Sequence, residues 1–150
     1  MSTKQLNTLF KFEKDKESKA AAALQQAESD YQQNLQRLNS VGDYRLEYMK
    51  RLNQRSIEGI DSATYNHFHK FVAKLDHAGE QVEIAIRQSK ALVEQKRTLW
   101  LQQRQKIQAV ELLLIKQQLK LRKIEDRREQ NMFDEISTQR FLRKDSISQR

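Results

Sequence analysis

Apolar residues recur in a strict alternation of three and four residues along the second half of the chain, from Tyr65 to Ile124. Thirteen of the eighteen positions in this row are apolar. A repeat of about 3.5 residues held over that length is typical of a coiled-coil helix. A shorter row with the same alternation runs from Ala20 to Arg55, and eight of its eleven positions are apolar. The pattern predicts two long helices that pack along these rows.

The two predicted helices are separated by a short break around Gly59. Glycine adopts the left-handed conformation that ends helices, and either Asp61 or Ser62 can cap the start of the next helix. A short connection makes neighbouring helices antiparallel. We therefore predict an all-α fold, a long two-helix antiparallel coiled-coil hairpin that forms a single rod-like domain over residues 1–150. Its helices are expected at about 6–55 and 62–143, with a turn at 56–61 and a frayed C-terminal tail.

The composition of the chain also favours helices. The sequence has no proline, no cysteine and three glycines, and 37% of it is apolar, with a mean hydropathy of −0.90. Such a low hydropathy also fits a disordered chain, but the orderly spacing of the apolar residues favours folding. The lack of cysteine excludes disulfides and fits a reducing compartment. The sequence shows neither a signal-peptide core nor a membrane-spanning apolar run, so we expect a cytoplasmic protein.

The second predicted helix is much longer than the first. At ~1.5 Å per residue the two helices would be about 75 Å and about 120 Å long. If Leu52 faces Tyr65, Leu6 reaches only as far as Glu111, so the stretch that follows has no partner helix within the chain. An apolar stripe without cover marks an interface, so we predict that this C-terminal overhang binds another molecule.

The apolar surface near the turn is wider than one partner helix requires. Tyr44 lies beside the row of the first helix, and Phe71 and Ala78 lie outside the row of the second. Two interpretations remain open, a locally thicker core and a second docking site.

The net charge of +8 is concentrated in residues 87–128, which hold twelve Lys or Arg and four acids. A basic stripe of this kind can face nucleic acid, anionic lipid or an acidic protein surface. Trp100 is the only aromatic residue in this stretch and belongs to the packing row, which argues against base stacking. The broad face of Trp or Phe opposite Lys that membrane-surface helices carry is also missing.

No arrangement of residues indicates catalysis or a bound cofactor. The three glycines are isolated, so no phosphate-binding loop is present. His67 and His69 point to different helix faces and His77 lies farther along, which does not suit a metal site. The side chains of neighbouring acids such as Glu125 and Asp126 point about 100° apart around a helix, so they do not converge on one substrate atom. We expect a protein that is not an enzyme and has no cofactor, no metal, no nucleic-acid partner and no small-molecule substrate.

Two blocks of the sequence resemble the FliJ family, whose members are stalk proteins of the flagellar type III export ATPase. The blocks are DYRLEYMKRLNQRSIEGIDSATYNHFHKFVAKLDHAGEQ at residues 43–81 and EDRREQNMFDE at residues 125–135. The resemblance implies a coiled coil like the central stalk of rotary ATPases. Its terminal end would enter and stimulate a hexameric export ATPase ring, and its turn-proximal face would contact the membrane export gate. It also implies peripheral association with the cytoplasmic face of the inner membrane at the flagellar base, and export chaperones are a further partner class to consider.

The resemblance assigns residues to the gate end, and together with the uncovered apolar stripe of the overhang it assigns residues to the ring end. The positions that match the family's gate-contact row are Val41, Tyr44, Tyr48, Phe71, Leu75, Ala78 and Val82. The positions assigned to the ATPase ring are Leu114, Leu121, Ile124, Arg127, Gln130, Asp134 and Glu135. The chain departs from the family pattern at Tyr65, where Trp is frequent, at Ser137, where Ala is usual, and at Val82, which replaces a residue that can be polar.

Three alternatives remain open at this point. The chain could be the stalk of a virulence type III secretion system, a basic coiled coil that binds nucleic acid or a membrane surface, or a structural coiled coil that self-associates through its overhang.

Overall fold

The structure is a computed structural model that describes residues 2–148 and contains two long α-helices. Helix α1 spans Thr3–Glu58 and helix α2 spans Ser62–Ser148, with residues 59–61 between them. The described residues contain no strand, and the two helices pack against each other. The predicted all-α helical hairpin is confirmed.

Local hydrogen bonds explain where the helices begin and end. The backbone N–H of Gln5 donates to Ser2 Oγ at 3.2 Å, and the N–H of Ser2 donates to Gln5 Oε1 at 3.0 Å, so the two residues cap α1 reciprocally. Gly59 has a φ of 90°, the left-handed conformation predicted for it. Of the two candidate caps for α2, Asp61 is the one used, because its Oδ1 accepts a 3.3 Å hydrogen bond from the N–H of Thr64.

Both helices extend further than the sequence alone indicated. Helix α1 starts at Thr3 and not near residue 6, because the Ser2 and Gln5 pair satisfies backbone N–H groups that would otherwise lack partners. Helix α2 continues to Ser148, beyond the expected end near residue 143. Of the tail that we expected to fray, residues 149–150 lie outside the described part of the chain.

The described residues group into two compact units. The first unit comprises residues 2–15 and residues 104–148, and its buried apolar side chains are Leu6, Ile107 and Val110. The second unit comprises residues 16–103, and its buried apolar side chains are Ala27, Leu52, Phe68, Val72 and Val93. Each unit is a pair of helical segments with a narrow apolar seam between them.

The alternating rows are the faces that the helices bury. Every row position of α2 from Phe68 to Gln117 is buried or half-buried, whereas the row positions before and after this stretch are exposed. In α1 the row is covered from Ala20 to Leu52 except at Arg45. Long charged side chains such as that of Arg45 lie along apolar surface and keep their charged ends in water.

Polar contacts between the helices define their register within the second unit. Asn34 Nδ2 donates to Ser89 Oγ at 3.3 Å, and Arg45 Nε donates to Asp76 Oδ1 at 2.6 Å. Both partners in α2 lie at least one helical turn further along the chain than a pairing of Leu52 with Tyr65 predicts. In the first unit, burial along α2 likewise continues to Gln117, past the limit that we expected at Glu111.

Candidate functional site

The residues predicted to contact an export gate lie together on facing stretches of α1 and α2 in the second unit. We refer to them as the turn-proximal patch: Val41, Tyr44, Tyr48, Phe71, Leu75, Ala78 and Val82. Tyr44 is 54% exposed and the others are half-buried. The patch is therefore an apolar surface with an accessible edge.

Aromatic rings form the part of the patch nearest the turn. The Tyr48 ring lies 4.3 Å from the Phe71 ring and 4.9 Å from the Phe68 ring, measured between centroids. The Tyr44 ring lies 6.2 Å from that of Phe71. Phe68 was assigned to the packing row only, and it is the buried ring against which Tyr48 packs. Such pairs contribute about 0.5–1.5 kcal/mol each beyond their buried area, so Phe71 helps to hold the helices together as well as forming surface.

Polar groups border the patch. Beside it, the ion pair of Arg45 and Asp76 joins α1 to α2 through side chains that are about half exposed. Farther from the turn, an open groove of about 500 Å³ is lined by Gln33, Gln36, Arg37, Ser40, Val41 and Val82. An apolar centre with a polar, hydrated rim is the usual anatomy of a protein–protein interface.

Residues 118–148 of α2 form the second candidate surface, and we refer to them as the uncovered segment. Every residue in this range is exposed, although the segment is helical throughout. Its exposed large apolar side chains are Leu119, Leu121, Ile124, Met132, Phe133, Ile136, Phe141, Leu142 and Ile147. So many exposed apolar side chains on one helical segment mark an interaction surface.

The uncovered segment contains all but one of the residues assigned to an ATPase ring. Leu114 is the exception, and the expectation that it lacks cover within the chain is corrected. Leu114 is half-buried because the covered part of α2 extends to Gln117. The side chains of Leu121 and Ile124 remain 45% and 41% exposed.

The ring-assigned residues lie on two different sides of the helix. Leu121 and Ile124 continue the side that α2 buries earlier along the chain, and Glu135 lies near that side. Arg127, Gln130 and the following Asp134 are spaced by three and four residues and share another side. A partner that contacts both sets has to surround the helix.

Sequence reasoning ended the apolar row at Ile124 and missed Met132 and Ile136. Met132 lies eleven residues after Leu121, which is about three helical turns, so the two side chains share one side of α2. The three-and-four alternation does not detect this spacing, whereas a search for an eleven-residue period would have found it.

No group of three or more His, Cys, Asp or Glu residues in the described range could hold a metal ion. His67, His69 and His77 are exposed, and the ring of His69 contacts that of Tyr65 edge-on at 4.4 Å. Hydrogen bonds from Thr64 hold the pKa of Asp61 below its ordinary value, which is a consequence of helix capping.

Within residues 2–148, neither helix has a stretch long and apolar enough to cross a membrane.

Comparison with known proteins covers both candidate surfaces. The family described as "Flagellar FliJ protein" matches residues 2–146 of this chain. A flagellar FliJ protein of Salmonella typhi is 27% identical over 139 residues, which make up 93% of this chain and 95% of that protein. No solved structure matches the chain significantly. Because the match extends over nearly the whole sequence, this chain belongs to the FliJ family of flagellar proteins.

Proposed function

We propose that this protein is the non-enzymatic stalk of the flagellar type III protein export apparatus. Its uncovered segment inserts into the hexameric export ATPase and stimulates it, and its turn-proximal patch links that ATPase to the membrane export gate. The observation that carries the proposal is the exposed state of residues 118–148, which are fully helical yet have large apolar side chains in water.

The distribution of side chains around this segment favours a ring as the partner. Leu121 and Ile124 lie on one side of α2, and Arg127, Gln130 and Asp134 lie on another, so a flat partner surface cannot contact both. A ring contacts a helix from every side. At ~1.5 Å per residue the segment is about 46 Å long, which exceeds the diameter of a small domain. Polar side chains suit a hydrated lumen because they would be costly to bury in a dry seam.

Stimulation of hydrolysis follows from the asymmetry of the inserted helix. One helix in a six-fold ring presents apolar side chains to some subunits and charged side chains to others. A ligand shifts a conformational equilibrium only when it binds the two states with different affinity. The unequal contacts supply that difference between subunits, so they bias the ring toward states in which hydrolysis proceeds.

The turn-proximal patch suits the gate contact because it combines apolar side chains from both helices with a polar rim. Tyr44 supplies the most exposed apolar surface, and the Arg45 and Asp76 pair supplies part of the rim. We propose that the protein acts at the cytoplasmic face of the inner membrane, at the flagellar base, with export chaperones as further candidate partners. Membership of a family of flagellar proteins supports the flagellar branch over virulence secretion.

Deletion of residues 118–150 tests the proposal. The shortened chain keeps the half-buried Leu114 and Gln117, so its remaining helices should stay folded and should still bind the export gate. Stimulation of the purified export ATPase should fall to the basal hydrolysis rate. Tyr44→Ala is the matched control at the other surface, and this variant should stimulate the ATPase as well as the intact protein does.

Two outcomes of this experiment would contradict the proposal. In the first, the shortened chain stimulates hydrolysis as strongly as the intact protein, which would show that the uncovered segment is not the ring contact. In the second, Tyr44→Ala and the deletion weaken ATPase stimulation equally, which would show that the two surfaces do not have separate partners.

A further inference from the structure

The uncovered segment has a row of exposed apolar side chains along one side of α2. Its members are Leu121, Ile124, Met132, Ile136 and Leu142, each more than two-fifths exposed. At about 100° per residue these five side chains lie within roughly 120° of one another around the helix. A stripe of this width is what a helix buries against a neighbouring helix.

The row is nearly symmetric about Arg128. Ile124 and Met132 are each four residues from it, and Leu121 and Ile136 are seven and eight residues from it. Two copies of the segment that pair antiparallel about a two-fold axis at Arg128 therefore place Ile124 of each copy against Met132 of the other. The same axis places Leu121 against Ile136. A surface that matches itself under a two-fold rotation is the requirement for a closed dimer contact.

The charges of the segment also favour antiparallel pairing. Lys120 precedes Arg128 by eight residues and Glu135, which lies near the row side, follows it by seven, so antiparallel copies place these opposite charges within about one helical turn. At the axis, each Arg128 lies within one turn of Glu129 from the other copy. A parallel pair in register would instead set every charged group beside its own copy, which is unfavourable, whereas the antiparallel pair does so only at Arg128.

We propose that the row is a docking surface for a second copy of this chain, which pairs antiparallel about Arg128. The paired form covers apolar side chains that are otherwise in water. It leaves accessible the other side of the helix, which carries Arg127, Gln130 and Asp134. If the proposed function holds, Leu121 and Ile124 also contact the ATPase ring, so the dimer and the ring-bound form exclude each other. The dimer is then a storage form of the unassembled stalk.

Sedimentation equilibrium of the intact protein tests whether the pairing occurs. The mass should rise with concentration from 17.9 kDa toward twice that value. Leu121→Asp combined with Ile124→Asp should stay at 17.9 kDa at every concentration. The matched control is Leu119→Asp combined with Phe133→Asp, which alters exposed apolar residues outside the row and should still dimerise. A monomeric intact protein, or a control variant that dissociates as the row variant does, would overturn the proposal.

Cross-linking tests the axis and the orientation. The chain has no cysteine, so Arg128→Cys provides a single thiol that should meet its counterpart at the axis and react with a short bis-maleimide. Gln139→Cys lies on the same side, but antiparallel pairing holds its two copies about 33 Å apart at ~1.5 Å per residue, so it should not react. Cross-linking of both variants would indicate a parallel pair, and cross-linking of neither would exclude the axis, so either result overturns the proposal. Both experiments use the protein without the ATPase, so their outcome is independent of the proposed function.

Discussion

Replacement of Phe71 and Leu75 by alanine distinguishes a docking surface from a thickened core at the turn-proximal patch. Both side chains are half-buried, and the Phe71 ring packs 4.3 Å from that of Tyr48, so the substitution affects stability as well as surface. Phe68→Ala is the matched comparison. Phe68 is only 7% exposed and contacts the same Tyr48 ring, but it lies outside the residues assigned to the gate.

The size of the stability loss follows from burial. Complete burial makes Phe→Ala cost about 3–5 kcal/mol and Leu→Ala cost about 2–5 kcal/mol. Because Phe71 and Leu75 are half-buried, their replacement by alanine should lower the free energy of unfolding by roughly 2 kcal/mol and roughly 1.5 kcal/mol, or about 3.5 kcal/mol together. The buried Phe68 should cost a similar amount alone. With ~2–4 °C of melting temperature per kcal/mol for a chain of this size, both variants should melt about 7–14 °C lower than the intact protein.

The assay measures helicity by circular dichroism and binding to the purified gate protein at a temperature at which both variants are folded. The double variant should lose gate binding, and Phe68→Ala should keep it despite an equal loss of stability. If the two variants lose gate binding in parallel, the loss reflects weaker helix packing, and the patch is core and not a docking surface. Tyr44→Ala provides a third point, because it removes exposed surface at a cost of no more than about 1 kcal/mol and should weaken gate binding.

The remaining predictions concern the turn and the overhang. Gly59→Ala forces an L-residue into the left-handed region at φ 90° and should lower the free energy of unfolding by about 1–2 kcal/mol, measured by chemical denaturation. Gly42→Ala lies within α1, where no atom is near the added methyl, and should raise the free energy of unfolding by about 0.5–1 kcal/mol. Equal effects of the two changes would contradict the proposed role of the turn glycine. The pKa of Asp61 is lowered in the folded state, so its stabilising contribution should be present above its ordinary value of 3.8 and be lost as the pH falls through the lower folded value. Asp61→Asn should remove that part of the pH dependence of the melting temperature, and an unchanged profile would argue against capping by a carboxylate. Leu121→Asp combined with Ile124→Asp should abolish ATPase stimulation. The melting temperature of the monomer should stay nearly unchanged, since both side chains are exposed. A large fall in melting temperature would show that the two side chains are packed within the chain.

The sequence by itself determined the helices and the turn, because the physical causes act between residues close in the chain. The alternating row predicts which side of α2 is buried, and Phe68, Val72, Val93, Ile107 and Val110 are all buried. The turn required a residue that tolerates positive φ. Glycine is the only residue type that adopts this conformation at no steric cost.

Only the tertiary structure decided the register between α1 and α2 and how far along α2 the cover by α1 extends. Two rows with the same period can be shifted along each other at small cost in apolar contact, so periodicity does not choose among alignments. Specific polar contacts identify the alignment, as between Asn34 and Ser89. In the first unit, the early start of α1 leaves Leu114 half-covered, and the continuously exposed stretch of α2 begins at Gln118.

For the two candidate surfaces as well, the sequence determined which residues share a side, and the tertiary structure determined how exposed they are. The sequence identified the turn-proximal patch through its surplus of apolar residues, but it could not say how much of Phe71 or Tyr44 faces water, because that depends on how closely the facing helix packs. Helical periodicity alone brought Leu121 and Ile124 to one side of α2 and Arg127 to another. Their exposure depends on where α1 ends in space, since residues far apart in the chain provide the cover, and only the folded molecule brings those residues together.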